Sequence, residues 1–283
     1  MDKINVLWMN NGDESLVRFV EGATNFNIDI STCSSMAACM ESIDDACNNW
    51  DVVMINETYQ GKKGKRHLNS IEENFKEKTK AKCISCFIVT DKESFNPMIK
   101  FSLKSYTQEF YSLRKKEELF RNIIAAPESN LRKKYSEICT FCTDSHLIPL
   151  LQVLEGNKQI MPPTTIPNEC RKLLEWVQKN SIFTGRKLPI SIKDYLDWPS
   201  KKDKTTCETY DDLSLNDFSK AVDKTNYVPE YVKRSFHHCC NITQEGSHLL
   251  EIDDLLSKGM VPYVNQSLIY NLLNILHWCA TYR

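Results

Sequence analysis

The chain has 283 residues, with 36 Lys and Arg against 37 Asp and Glu, a formal charge of −1. At roughly 150 residues per domain the length points to two domains. A hydrophobic content of 41 % excludes a disordered chain, and the charge balance, 17 basic to 19 acidic up to Ser129 and 19 to 18 beyond it, excludes nucleic-acid binding driven by net charge.

The N-terminus, MDKINVLWMN, has a lone Lys, a short apolar stretch and no small-residue cleavage site, and reads as a first strand over 4–9 rather than a signal peptide. The turn formers Asn10-Asn11-Gly12-Asp13 follow it. Residues 14–22 fit a helix with Leu16, Val17, Phe19 and Val20 on its apolar side. Asn27–Ser31 alternates as a strand, and 34–49 has helical spacing. Asp51–Asn56 is a third strand, 66–79 a charged helix, Cys83–Thr90 a fourth strand, 94–104 a helix and Glu109–Tyr111 a last short strand. A helix over Lys115–Ala125 closes this part. Repeated β-α-β units with fully apolar strands predict a doubly wound α/β domain over 1–126, its parallel sheet covered on both faces. Ligands of such sheets sit beyond the carboxyl ends of the strands.

After Pro127 the alternation stops, and 127–283 reads as an all-α bundle. Helical pieces over 130–155 break near Thr143-Asp144, Gly156–Pro167 is a linker, and Asn168 is placed as the N-cap of a helix over 169–182. Residues 185–212, mostly polar with Pro189 and Pro199, read as an insertion or long surface loop. Helices follow over 213–222, 229–243 and 262–282, the last with an apolar stripe from Val264 to Trp278. No apolar run reaches the ~18 residues that span a bilayer. Membrane and DNA are therefore not expected as partners, and a cytoplasmic location is.

The twelve cysteines read as reduced thiols packed like small hydrophobes. Cys83/Cys86 and Cys139/Cys142 have metal-ligand spacing, but Cys83 and Cys86 sit three apart on a strand and face opposite sides. Adjacent side chains of His237-His238-Cys239-Cys240 fan out around a helix. Neither pattern chelates well, and no metal or cofactor is expected. Gly61-Lys62-Lys63-Gly64-Lys65-Arg66 lacks the full P-loop spacing and reads as a solvated loop.

The polar residues at the predicted strand ends are Asn10, Asn11 and Asp13, then Asn56 and Glu57, then Thr90 and Asp91, with Arg114, Lys115 and Lys116 after the fifth strand. This order resembles the receiver domain of response regulators over residues 3–126. The resemblance implies a pocket of Asn10, Asn11, Asp13, Asn56, Thr90 and Lys115, with Asn56 at the phosphoacceptor position. An amide cannot form an acyl phosphate, and two neutral amides bind a hard dication weakly. The expectation is a receiver-like domain that is not phosphorylated and serves as a docking or dimerisation surface or a ligand pocket.

In the second part, Arg171 and Glu175 lie four apart on one helix, and Asn241 precedes His248 by six intervening residues. Together with the closing amphipathic helix, this pattern resembles HEPN-type bundles over 168–282. Many HEPN proteins are metal-independent ribonucleases with an Arg-x4–6-His motif, here Asn241…His248. The resemblance implies a polar cleft of Arg171, Glu175, Asn241 and His248 and a homodimer with composite sites. Two functional readings follow. One is a signalling module in which the receiver-like domain senses a protein partner or ligand and controls the helical domain. The alternative is a metal-independent endoribonuclease of stress or phage defence, with RNA as substrate and His248 catalytic.

Overall fold

A computed structural model describes residues 3–10, 15–45, 47–57, 75, 78–79, 82, 84–93, 109–156, 161–196, 207–245 and 261–282. The chain divides into two compact units, Met1–Lys134 and Tyr135–Arg283. The first holds β1 (Ile4–Met9), α1 (Ser15–Thr24), β2 (Ile28–Cys33), α2 (Met36–Asp44), β3 (Val52–Asn56), β4 (Ser85–Thr90), β5 (Glu109–Ser112) and α3 (Lys116–Lys134). The strands form one parallel sheet in the order β2-β1-β3-β4-β5. The chain starts near the middle of this sheet, builds one edge and crosses back to build the other.

Strand residues alternate between two cores. Val6, Trp8, Val52, Met54, Phe87 and Val89 pack beneath α1 and α3, against Phe19, Ala23, Phe120 and Ile123. Leu7, Met9, Val53 and Ile55 pack on the other face beneath α2, against Cys39, Ile43 and Phe75. Burial on both faces is why these strands read as unbroken apolar runs. On the first face Trp8, Phe19 and Phe120 meet edge-on or tilted, with ring centroids 5.2 and 5.0 Å apart.

The amino ends of three strands are tied through Asp51. Its carboxylate accepts the Asn5 backbone N–H at 2.9 Å, and its carbonyl accepts the Ser85 N–H at 3.1 Å and the Asn130 amide at 3.5 Å. Asn130 in turn accepts the Ser85 hydroxyl at 2.8 Å. This anchor accounts for one departure from the sequence pattern. α3 continues through Pro127, which contributes no N–H, and runs to Lys134, eight residues past the boundary expected at 126. The buried Ala126, Asn130 and Leu131 hold the helix on both sides of the proline. α2 stops at Asp44 rather than near 49. The Asp45 carboxylate accepts the Cys47 N–H at 2.9 Å and the Asn48 amide at 3.2 Å, a local turn that competes with further helix.

The second unit is helical: α4 (Ser136–Phe141), α5 (Leu147–Leu154), α6 (Ile166–Asn180), α7 (Ile190–Tyr195), α8 (Leu215–Asp223), α9 (Glu230–Glu245) and α10 (Val261–Thr281). The stripe expected on the last helix is buried at Leu268, Ile269, Leu272, Ile275, Leu276 and Trp278. Phe183, fully buried, lies at the hub of an aromatic cluster with Tyr210, Phe218, Phe236 and Trp278 at 5.1–6.2 Å. Two expectations change here. α6 begins at Ile166, and Pro167 sits in its first turn, so Asn168 lies inside the helix and is not its N-cap. The described part of 185–212 is not surface loop throughout. It carries α7, an antiparallel bridge between Lys187 and Thr209, and the buried side chains Leu188, Ile192, Leu196, Cys207 and Tyr210. Gln178, buried, donates to the Tyr210 and Leu213 carbonyls at 2.7 and 2.9 Å and ties this segment to α6.

Burial holds the Asp51 carboxyl above its ordinary value of 3.8, and the bond from Asn5 opposes this by less. The folded state therefore favours the protonated form. The stabilisation is complete below pH 3.8 and is lost as pH rises through the raised folded value. Asp51→Asn keeps an acceptor for Asn5 and does not titrate. Its melting temperature is predicted to match the wild type below that pH and to equal or exceed it at pH 7. A variant that melts lower than wild type at pH 7 would contradict this.

Candidate functional sites

With both faces of the sheet covered, polar side chains of the first unit gather at the carboxyl edge. Asn10, Glu57, Thr90 and Ser112 are all buried there, and Asn56 is half-buried. The Asn56 amide oxygen accepts the indole N–H of Trp8 at 2.8 Å, and its nitrogen donates to the Asn10 amide oxygen at 3.4 Å. The Asn10 backbone N–H donates to the Cys33 carbonyl at 3.0 Å. Beside this chain, the Thr90 hydroxyl donates to the Glu57 carboxylate at 2.7 Å, and the Glu57 N–H donates to Val89 at 2.8 Å. The buried Glu57 side chain thus has a hydrogen-bond donor on the next strand, as a buried polar group requires. Asn11, Asp13 and the 61–66 basic loop lie outside the described residues.

The three basic residues after β5 take separate paths. The Lys115 ammonium is exposed and 4.0 Å from Glu118, in the first turn of α3. Lys116 lies over the Phe19 ring at 5.7 Å. Arg114 is the one that bonds back to the loop after β4, donating through Nε to the Asp91 carbonyl at 2.6 Å. Its N–H donates to the Ser112 hydroxyl at 3.2 Å, and that hydroxyl donates to the Lys92 carbonyl. Trp8 and Ser112 were not legible as site residues. The signal available was their register, since Trp8 is paired with Met54, two residues before Asn56, and Ser112 is paired with Thr90.

In the second unit a cleft of about 740 Å³ includes Asn241 in its lining. His237 and Lys233, one and two turns earlier on α9, line it with Asn241, as do Arg234 and His238 beside them. Lys220 and Asp223 enter from α8 and Tyr195 from the end of α7. The Asn241 amide donates to Nε2 of His237 at 3.1 Å, and His238 Nε2 lies 3.1 Å from the Ser267 hydroxyl.

Arg171 and Glu175 share a helix face as their spacing implies, 3.3 Å apart and both partly exposed. They are not among the residues lining the Asn241 cleft; each is engaged by the other one turn away. His248 lies outside the described residues. His146 Nδ1 lies against the Glu169 carboxylate, which also binds Lys172 at 2.8 Å. Burial raises the Glu169 carboxyl, and Lys172 and His146 outweigh it, so the net direction is down.

Among the described residues no three His, Cys, Asp or Glu side chains are arranged to hold a metal ion, and no helix is long and apolar enough to cross a membrane. No disulfide joins any two of the eleven described cysteines. Cys83 lies outside the described residues. Cys239 and Cys240 turn into the core while His237 faces out. Burial pushes the Cys142 and Cys240 thiols up to about 11 and Cys279 up to about 12, so these stay protonated and unreactive at neutral pH. No protein-family model matches the chain, and a search of curated proteins finds no match.

Brief alkylation of the native protein is predicted to modify the exposed Cys47 first among these eleven thiols, and alkylation after denaturation without reductant to modify all of them. Peptide mapping checks both. A stoichiometric disulfide in protein kept from air, or Cys142 or Cys240 reacting as fast as Cys47, would contradict the burial pattern.

Proposed function

We propose that the chain is a regulatory module in which a receiver-like α/β unit, unable to take phosphate, responds to a protein partner or ligand and controls a HEPN-like helical unit. The observation that supports this reading best is the state of Asn56. Phosphotransfer onto a receiver needs a carboxylate oxygen as nucleophile at the end of β3. Here the group is an amide, its oxygen occupied by the Trp8 indole and its nitrogen directed at Asn10. Asn10 is itself neutral where a carboxylate would draw a dication. The neighbouring carboxylate, Glu57, is buried against Thr90. At this edge the polar groups bond to one another, Asn56 to Trp8 and Asn10 and Glu57 to Thr90.

The cleft around Asn241 favours a second reading, a metal-independent endoribonuclease. In such chemistry a ribose 2′-OH attacks the adjacent phosphorus, a His moves the proton and a cation steadies charge on the phosphoryl oxygens. The cleft supplies cations and two histidines, and His248 is the residue this reading makes catalytic. Asn241 carries no charge at the position where the ribonuclease motif has Arg.

Two measurements separate these readings. Acetyl phosphate with magnesium is predicted to add no phosphoryl mass to the full chain. A phosphorylated species lost in Glu57→Gln would overturn the first reading. The chain alone is predicted to leave labelled RNA intact in EDTA. Cutting that His248→Ala reduces by about 10²–10⁴-fold, the range for a general base, would replace the first reading with the second.

A further inference from the structure

The face of the sheet beneath α2 holds two thiols in contact. Side chains of β2 alternate, so Ile28 and Ile30 enter the core beneath α1 and α3, while Cys33, the last residue of the strand, turns to the α2 face. Cys33 is in register with Met9, at the carboxyl edge of the sheet. Its carbonyl accepts the Asn10 N–H at 3.0 Å, and its thiol donates to the Trp8 carbonyl at 3.8 Å. The chain then passes through Ser34 to Ser35, the N-cap of α2, whose hydroxyl accepts the Ala38 N–H at 3.0 Å. That cap fixes the start of the helix and so the place of Cys39, which is fully buried in the cluster that Cys33 packs against.

A hydrogen bond joins the two sulfurs and makes them unequal. The Cys39 thiol, as donor, holds Cys33 below the ordinary 9.0, and burial opposes this by less. For Cys39 the same bond, and burial after it, act upward. Cys33 is therefore the first of the pair to become a thiolate, and Cys39 keeps its proton. Cys142, Cys170, Cys239, Cys240 and Cys279 are all pushed up by burial, so low acidity is the rule for the buried thiols and Cys33 departs from it. Cys33 is also only partly buried and open to a small reagent, whereas Cys39 is sealed. An accessible, acidified thiol beside a protonated one has the makings of an attacking and a resolving cysteine. Only Ser34 to Ala38 lie between them, so a bond across the pair closes a short loop.

We propose that Cys33 and Cys39 are a redox modification site, a dithiol that hydrogen peroxide converts to an intrachain disulfide. The Cys33 thiolate attacks one peroxide oxygen and the O–O bond breaks. The leaving hydroxide takes up the proton that Cys33 released, giving water and a Cys33 sulfenic acid. The Cys39 sulfur then attacks the Cys33 sulfur, the S–O bond breaks, and hydroxide leaves with the Cys39 proton as a second water. Two thiols and one hydrogen peroxide become one disulfide and two waters, with two electrons passing from the sulfurs to the peroxide oxygens. Oxidation removes the Cys33 proton from the Trp8 carbonyl, and with it one tie on the strand that leads into Asn10. The inference concerns the α/β unit by itself and needs neither phosphate chemistry nor RNA cleavage.

The test treats the full chain, reduced and kept from air, with one equivalent of hydrogen peroxide, then alkylates it in denaturant and reads the cysteines by tandem mass spectrometry. The wild type is expected to lose the mass of two hydrogens, with residues 33 and 39 joined and the exposed Cys47 still alkylated. Dithiothreitol is expected to restore both thiols. Cys39→Ala removes the resolving sulfur, so oxidation should stop at Cys33, where dimedone traps the sulfenic acid. Cys33→Ala should leave Cys39 fully alkylated, and Cys86→Ala, on the same face of the sheet, should behave as wild type. The wild-type map decides the pairing by itself, whatever the variants do to stability. The proposal is overturned if Cys33 stays a thiol while Cys47 is oxidised, if the disulfide joins any other two cysteines, or if Cys33 passes to sulfinic acid with Cys39 still alkylated.

Discussion

A parallel sheet sealed on both faces confines buried polar groups to the ends of its strands, and the first unit is organised by that constraint. Trp8 illustrates the consequence. Its ring belongs to the apolar face beneath α1, packed on Phe19, while its indole N–H must find a partner once buried. Asn56, at the end of the neighbouring strand, is that partner. The amide at the end of β3 satisfies the core tryptophan. A carboxylate at 56 would accept the same N–H, so the hydrogen bond alone does not dictate an amide. The Asn56 nitrogen also donates to Asn10 at 3.4 Å, a bond that a carboxylate at 56 would form only with the Asn10 amide turned to donate.

The helical unit is governed differently. Phe183 leaves the end of α6 and inserts among rings from α8, α9 and α10. Pairs of this kind add roughly 0.5–1.5 kcal/mol each beyond area burial. Their geometry leaves the outer faces of α8 and α9 free of packing duty, and the cations collect there. The cleft is a by-product of core packing in position and a product of surface composition in chemistry.

Most of the fold was legible because period and burial agreed. Ile4–Met9, Val52–Asn56 and Ser85–Thr90 are apolar runs too short for helices, and each is a strand buried on both faces. The misreadings arise where tertiary contacts override local signals. Pro127 reads as a breaker, yet α3 passes through it because Asn130 bonds to Asp51 and Ser85, more than 40 residues away. The 185–212 segment reads as polar loop because its apolar residues are spaced without a period, yet Leu188, Ile192, Leu196 and Tyr210 are buried. At the sites, Asn10, Asn56 and Thr90 were legible from their places at strand ends. The Lys220–Lys233 pairing was not, since nothing in the sequence says that α8 and α9 present these residues to one cleft. The 233, 237, 241 spacing was present in the sequence but carries meaning only once the buried side of α9 is known.

The carboxyl edge depends on Asn56 as the hydrogen-bonding partner of Trp8. The most direct measurement is the indole N–H resonance of Trp8 in ¹⁵N-labelled protein, assigned through Trp8→Phe. In the wild type it should exchange slowly with solvent, and Asn56→Leu should shift it upfield and speed its exchange while the remaining indole signals stay in place. A Trp8 indole signal that Asn56→Leu leaves unmoved would contradict the arrangement and return the end of β3 to solvent.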